Sequence, residues 1–234
     1  MSLNSVNTNT GAMVALQNLN RTNSDLMTTQ TRINTGLKVA SAKDNGAIYA
    51  IAQNQRATSN SLNAVKDSLS RGQSTIDVAL SAGESVSDLL SQMKEKALAA
   101  SDTTLDTASR TALNDEFKSL RDQIGKVVSN ADFNGSNMIK SSGTTVKALA
   151  NSDGTSVLTV AAQDLSLGGT VLTSSLGTGA TIGTQTTASG MIATLTTAIA
   201  NVGAALGKLG TGSKALTSHM TFISKLQDAL DAGG

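Results

Sequence analysis

Apolar residues recur in alternating steps of three and four along one stretch of the chain. The stations are Ile48, Ile51, Gln55, Thr58, Leu62, Val65, Leu69, Gly72, Ile76, Ala79, Gly83, Val86, Leu90, Met93 and Ala97. Only Gln55, Thr58 and the two glycines depart from apolar character, and no proline interrupts the run. A seam sustained over several heptads predicts one long α-helix with a stripe for a partner helix. At ~1.5 Å of rise per residue that helix is on the order of 75 Å long, more than a compact domain needs. Gly72 and Gly83 lie on the seam itself, where the missing side chain lets a neighbour come close.

On the N-terminal side the helical signal is thinner. Ala12, Leu19, Leu26 and Ile33 share a heptad position, with Val6, Met13 and Leu16 nearby and mostly Asn, Thr, Ser and Gln elsewhere. Such a helix over residues 3–35 is marginal alone, because its apolar stripe is narrow and its polar residues are poor helix formers. It is expected to fray until it packs in an assembly. Gly36 suits a left-handed C-terminal cap. The segment Ser41-Ala42-Lys43-Asp44-Asn45 then leads into the long helix, with Asp44 or Asn45 as N-cap.

Beyond the seam, Ser101-Asp102-Thr103-Thr104 reads as a turn, and a third helix is expected over roughly 107–130. Its stripe is Leu113, Phe117, Leu120, Ile124, Val127 and Ala131. The short connection makes it the antiparallel neighbour of the long helix's distal half. Phe133-Asn134-Gly135 reads as a tight turn. From about 140 to 187 Gly, Ser and Thr dominate. Alternating runs around Asn151-Ser152-Asp153-Gly154 predict a β-hairpin, and a second pair is expected to straddle Gly168-Gly169. Residues 173–187 read as a mobile loop. Helical spacing returns at Ala188, Ile192, Leu195, Ile199, Val202, Leu206 and Leu209. A break is expected at Gly210-Thr211-Gly212-Ser213, before the pattern resumes at Leu216, His219, Ile223, Leu226 and Leu230. The fold class is therefore mainly α: an elongated antiparallel bundle of long helices with coiled-coil seams and a small β-hairpin cap.

Composition sharpens this picture. The 234 residues include no Pro, Cys or Trp and one His, and only 15% are charged, against roughly 25% in an average soluble protein. Neutral polar groups fill the gap, which suits surfaces buried against copies of themselves. Burying a charge costs several kcal/mol unless it is paired, whereas an amide or hydroxyl needs only a hydrogen bond. A net charge of +1 without a basic run points to neither nucleic acid nor an anionic membrane. No stretch approaches ~18 uninterrupted apolar residues, so membrane insertion is not expected. The first residues lack a cleavable secretory pattern.

Reactive chemistry finds little footing. His219 sits at a seam position and reads as packing. One histidine and no cysteine exclude the His-Glu-x-x-His helix and the usual transition-metal sites. No Gly-x-Ser-x-Gly elbow offers a nucleophile. Gly177, Gly179 and Gly183 have the wrong spacing for a dinucleotide loop. The carboxylates Asp67, Asp77, Glu84, Asp88 and Glu95 read as a solvated helix face or as subunit contacts. No catalytic residue, cofactor or metal is expected. The Ser/Thr-rich segment 140–190 reads equally as an exposed loop or as an acceptor of O-linked sugars.

Several motifs, in order, resemble bacterial flagellin, most closely the short flagellins of the Caulobacter type. Asn7-Thr8-Asn9 through Ile33 is similar to the family's Asn-rich opening helix. The linker at 41–45, followed by Ala47 and Ala50-Ile51-Ala52, is similar to its Ser-Ala-Lys-Asp-Asp signature, and Phe133-Asn134-Gly135 to its Phe-Asn-Gly motif. The likeness is specific over roughly 1–140 and looser over 188–232. It implies a homopolymeric filament subunit, carried outside the cell by the flagellar type III apparatus with an export chaperone, and meeting filament cap and junction proteins. Residues 1–44 would form an inner-domain helix and linker, 45–140 with 188–234 an α-helical shell, and 141–187 a variable surface region. Subunit contacts would include Asn7, Leu16, Leu19, Leu26, Ile33, Lys43, Asp44, Gln92, Lys96 and Glu116.

Two departures matter. The family continues with a C-terminal inner helix beyond the point where this sequence stops. The 234-residue form is therefore expected to be soluble and impaired in building normal filaments by itself. A hook–filament junction protein of the same family and a non-flagellar coiled-coil adaptor remain the alternatives. Gln92, Lys96 and Glu116 stand where typical flagellins carry the Arg, Leu and Glu of an innate immune receptor patch, and only Glu116 keeps its type. Weak or absent receptor activation is the expected outcome in a reporter-cell assay; full potency overturns it.

Overall fold

The computed structural model describes residues 9–39 and 41–233. Four α-helices follow in order: α1 (Thr10–Thr35), α2 (Gly46–Ala100), α3 (Thr107–Asn130) and α4 (Gln185–Gly233). Between α3 and α4 lie strands β1 (Val146–Leu149) and β2 (Val157–Val160) and a short 3-10 turn at Ser174–Leu176. The chain divides into two units. One is Met1–Thr58 with Ala229–Gly234, and the other is Ser59–Asp228.

The larger unit is organised on the α2 seam. Leu62, Val65, Leu69, Ile76, Ala79, Val86, Leu90, Met93 and Ala97 are all buried. The expected stations Ile48 and Ile51 are instead exposed, and Ala52 and Ser59 are buried in place of Ile51 and Thr58. The buried positions take consecutive three-residue steps through Ser59, Leu62 and Val65, where the apolar pattern alternates three and four, a local overwinding of the heptad line.

Helix α4 lies antiparallel on α2. Gln185 donates to the Ser101 carbonyl at 3.2 Å, Gln73 donates to Ser213, and Gln227 donates to the Ser59 carbonyl at 3.2 Å. Rising residue numbers on one helix thus meet falling numbers on the other. Its buried line is Ala188, Met191, Leu195, Ala198, Val202, Ala205, Leu209, Leu216 and Ile223. By length and composition α4 could cross a membrane, with a mean hydropathy of 1.4 in its most apolar window. Interspersed Thr and Asn hide that character from a search for uninterrupted apolar runs, and in the fold its apolar line is part of the core.

Close approach depends on glycine. A Cβ at Gly72 would stand 2.9 Å from Leu216 and 3.0 Å from Val146, and one at Gly83 would overlap Leu206. The expected break at 210–213 does not occur. Gly212 meets Val160 of β2 so closely that a Cβ there would stand 2.7 Å from Val160 Cγ2. Thr211 bonds back to the Gly207 carbonyl at 2.9 Å. Tertiary packing against the hairpin outweighs the low helix propensity of this stretch, which is a weak prior.

Helix α3 runs antiparallel to the end of α2. Lys96 pairs with Glu116 at 2.5 Å, and Arg110 donates to the Ala100 carbonyl at 2.9 Å. Phe117, Ile124 and Val128 are buried. Leu113, Leu120 and Val127 are only half-buried, and Asn114 takes a core position beside Leu113. Asp106 caps α3, accepting from the Ser109 hydroxyl at 2.7 Å and its amide at 2.9 Å.

The hairpin forms as expected, β1 antiparallel to β2 with Val146 opposite Val160. Two strands alone are marginal. Val146, Ala148 and Val160 are buried, while Ser68 Oγ accepts from the Leu149 amide at 3.0 Å. The second pair around Gly168-Gly169 is not a ladder but a turn, closed by the Val171 amide on the Asp164 carbonyl at 3.2 Å. Residues 173–187 are likewise an ordered part of the fold rather than a mobile loop. Leu176 and Ile182 are fully buried, and Arg121 donates to the Ala180 carbonyl at 2.9 Å. Short apolar anchors hold a segment whose composition alone reads as loop.

Two predictions follow from this packing. Gly212→Ala gains helix propensity but meets a β-branched wall that cannot rotate away, so it should lower stability by ~1–3 kcal/mol. Gly203→Ala, with open space around it, should raise stability by ~0.5–1 kcal/mol. Urea melts with unchanged slope read both, and the opposite order overturns the packing argument. Hydrogen bonds to the Thr104 amide and the Ser109 hydroxyl hold the Asp102 and Asp106 carboxyls below their ordinary values. Native carboxyls that resist protonation add stability above the unfolded value of about 4, and lose it as pH falls through the lowered native value. Protection of the amides at the start of α3, taken relative to free-peptide exchange at each pH, should therefore fall on acidification below about pH 4, and Asp106→Asn should blunt that dependence.

Candidate interface surfaces

Helix α1 begins with Asn9, whose Oδ1 accepts from the Ala12 amide at 3.0 Å, and ends at Gly36 in the left-handed region at φ 67°. The Gly36 cap is the one expected; the helix starts at Thr10, and residues 3–8 of the expected 3–35 span lie outside the described residues. Along its polar face Thr22, Thr28, Thr29, Thr31 and Thr35 donate to the carbonyl one turn back, at 2.7–3.0 Å. Those hydroxyls are satisfied within the helix and need no partner. The apolar face is the reverse case. No described residue of α1 is buried, and Leu16, Leu19, Leu26 and Ile33 are 52–75% exposed. Met13, Val14 and Met27 extend the uncovered face; Val14 and Met27 lie off the heptad line and were not legible from it. Asn7 lies outside the described residues.

The linker folds beside the end of α1. Asp44 Oδ2 accepts from the Ser41 amide at 3.1 Å, and the Asp44 amide returns to the Ser41 carbonyl at 3.1 Å. Asn45, not Asp44, caps α2, accepting from the Ile48 amide at 3.2 Å. A depression of about 320 Å³ brings Lys43 and Asp44 together with Met27, Thr31 and Arg32. None of Leu16, Leu19, Leu26 and Ile33 lines that depression, so the charged pair and the apolar stripe are separate features of this region.

In the larger unit the structure brings Gln92, Lys96 and Glu116 together around a recess of about 290 Å³, with Ser119 and Leu120. The Lys96–Glu116 pair bridges α2 and α3 but stays solvated, with side chains 35% and 55% exposed. Exposed pairs of this kind contribute ~0–1 kcal/mol. The arrangement can recognise polar or charged groups. His219 is half-buried, its Nε2 2.7 Å from the Ala150 carbonyl and its ring beside Phe222, so it ties α4 to the hairpin. Among the described residues no group of three or more His, Cys, Asp or Glu is arranged to hold a metal.

The side chains missed by the sequence reading are buried amides. Asn137 donates to the Val128 carbonyl at 2.7 Å and accepts from the Ile139 and Lys140 amides at 2.9 and 3.0 Å. Asn114 accepts from the Thr181 hydroxyl at 2.7 Å and the Ile182 amide at 2.9 Å. Asn137 stands two residues beyond the Phe-Asn-Gly turn, in which Asn134 and Gly135 both have positive φ. The signal that could have found it is that turn, which must hand the chain from α3 to the cap.

The sequence matches the model of the bacterial flagellin N-terminal helical region over residues 6–144. It is similar to flagellin FljK of Caulobacter vibrioides (strain ATCC 19089 / CIP 103742 / CB 15), with 59% identity over 233 residues covering 100% of this chain and 84% of that protein. Among solved structures, a putative flagellar hook-associated protein from Vibrio parahaemolyticus matches with a TM-score of 0.65 and 15% identity, covering 82% of this chain and 98% of that one. Bacillus cereus flagellin matches with a TM-score of 0.58 and 21% identity, covering 67% and 88%. At these identities the structural likeness speaks to fold alone.

Asn137→Ala strands the Ile139 and Lys140 amides and the Val128 carbonyl in the interior. It should destabilise the larger unit by ~1–3 kcal/mol, read as a shift in thermal midpoint. A neutral result would mean that water replaces the amide there.

Proposed function

Because the chain belongs to the bacterial flagellin family, we propose that it is a structural subunit of the flagellar filament, acting through helix packing rather than chemistry. The observation that carries this reading is α1. A helix with five threonine hydroxyls bonded to its own backbone, yet whose seven large apolar side chains are exposed, is built to be covered by other helices. Each such side chain gains about 1.5–3 kcal/mol when fully buried, offset by the cost of ordering a helix that is marginal alone.

In this reading residues 1–44 are the inner element, 45–140 and 188–234 the α-helical shell, and 141–187 the surface region. Leu16, Leu19, Leu26, Ile33, Lys43 and Asp44 form inner contacts, and Gln92, Lys96 and Glu116 lie on the shell's outer contacts. Asn7 belongs with the inner set on sequence alone. The partners are other flagellin subunits, an export chaperone, the type III apparatus, and cap and junction proteins. The site of action is the extracellular flagellum. The likeness to a hook-associated protein gives a junction role a fold-level argument, but 59% identity along the whole chain to a flagellin favours the filament.

Immunogold labelling should place the protein along the filament; a few copies confined to its base would favour the junction role. Leu19→Ser with Leu26→Ser should abolish incorporation while leaving the thermal unfolding of the larger unit unchanged.

A further inference from the structure

Helix α2 carries two unsatisfied charge patterns of opposite sign. The first is a cationic recess of about 380 Å³, lined among others by Arg71 of α2, Lys147 of β1, and Ser68, Asn134 and Thr144. The contact between Gly72 and Val146 creates it. Arg71 and Lys147 both line this recess. Both are exposed, and neither has an ion-pair partner among the described residues, where the pairs are Lys96–Glu116, Lys118–Asp115 and Arg121–Asp122. No acidic residue lines the recess. Asp132, close in sequence to Asn134, is engaged by the Gly135 amide at 2.7 Å.

The second is a line of carboxylates: Asp77, Glu84, Asp88 and Glu95. At 3.6 residues per turn these positions fall within about 20° of one line on the helix surface. All four are exposed and none is ion-paired among the described residues; Asp77 accepts one bond from the Gln73 amide at 3.0 Å.

The distal carboxylates of that line cannot reach the recess within one molecule. Arg71 and Asp88 are on one continuous helix, on the order of 25 Å apart along its axis. They can meet between copies displaced along that axis. We infer that the Arg71–Lys147 recess receives the Asp77–Glu95 acidic line of a second copy of this chain. The contact joins two different patches, so it is heterologous, and a heterologous contact that does not close propagates as a helical array. The inference rests on the filament-subunit reading and adds to it one charged contact and its polarity.

The test is zero-length carbodiimide cross-linking of an equal mixture of unlabelled and nitrogen-15-labelled chain, which joins a lysine to a carboxylate in contact. Mixed-isotope peptides should link Lys147 to Glu84 or Asp88. Their yield should fall at least about tenfold in Arg71→Glu with Lys147→Gln and at high salt, where exposed charge pairs are screened. In a second arm, Arg71→Glu homogeneous samples should sediment as smaller species than the parent chain, as should Asp88→Lys samples. Mixing the two should restore association through the swapped pair. Intermolecular links that avoid Lys147, a chain that stays monomeric at every concentration, or failure of the mixture to associate each overturns the inference. Immunolocalisation keeps this separate from the broader reading: protein in the flagellum without the link defeats only the contact, and absence from the flagellum defeats the filament role.

Discussion

The larger unit depends on how closely other elements can approach one face of α2. That approach is set by where side chains are missing. At Gly72 the seam admits both Leu216 of α4 and Val146 of the hairpin, and at Gly83 it admits Leu206. From the other side Gly212 receives Val160, so α4 is held between α2 and the cap. Interiors are packed to crystal-like density, and a contact of this kind has no slack for an added methyl group. The hairpin, too small to fold alone, inherits its order from the same approach.

Helix α1 shows the same principle without its completion. It has the caps and periodicity of a helix but no covered face within the described residues. Its threonines turn inward to their own backbone, which leaves the apolar stripe as its adhesive surface. A family whose members work as polymers gives such a helix a purpose: the hydrophobic gain is held back until copies meet. The scarcity of charge has the same logic, since neutral amides and hydroxyls can be buried without the desolvation cost of an ion.

The chain's few charges fall where they leave the packing undisturbed. Lys96 and Glu116 bridge two helices at the surface. Arg110 closes the end of α2 through the Ala100 and Asp102 carbonyls. Interior polar work is done by Asn114 and Asn137, which satisfy turn amides that no strand or helix could reach. The cap therefore needs no extended sheet, because buried amides and short apolar anchors such as Leu176 and Ile182 hold it down.

The C-terminal end of α1, the bounds of α2 and α3, the Phe-Asn-Gly turn and the 146–160 hairpin were legible along the chain, because caps, breakers and hydrophobic period are local properties; the start of α1 at Thr10 was not. The stripe on α1 was legible for the same reason. What the chain could not show depends on distant residues. The buried line takes two three-residue steps in succession from Ser59 to Val65, which the apolar pattern does not mark. Gly210–Ser213 stays helical because β2 packs on it. Residues 173–187 are ordered because Asn114 and α4 hold them, where composition alone suggests a loop. The recess beside Arg71 exists only once β1 lies on Gly72. Local chemistry decided which elements form, and tertiary contact decided which faces are used up and which remain for another copy, since burial belongs to neighbours the linear order does not bring together.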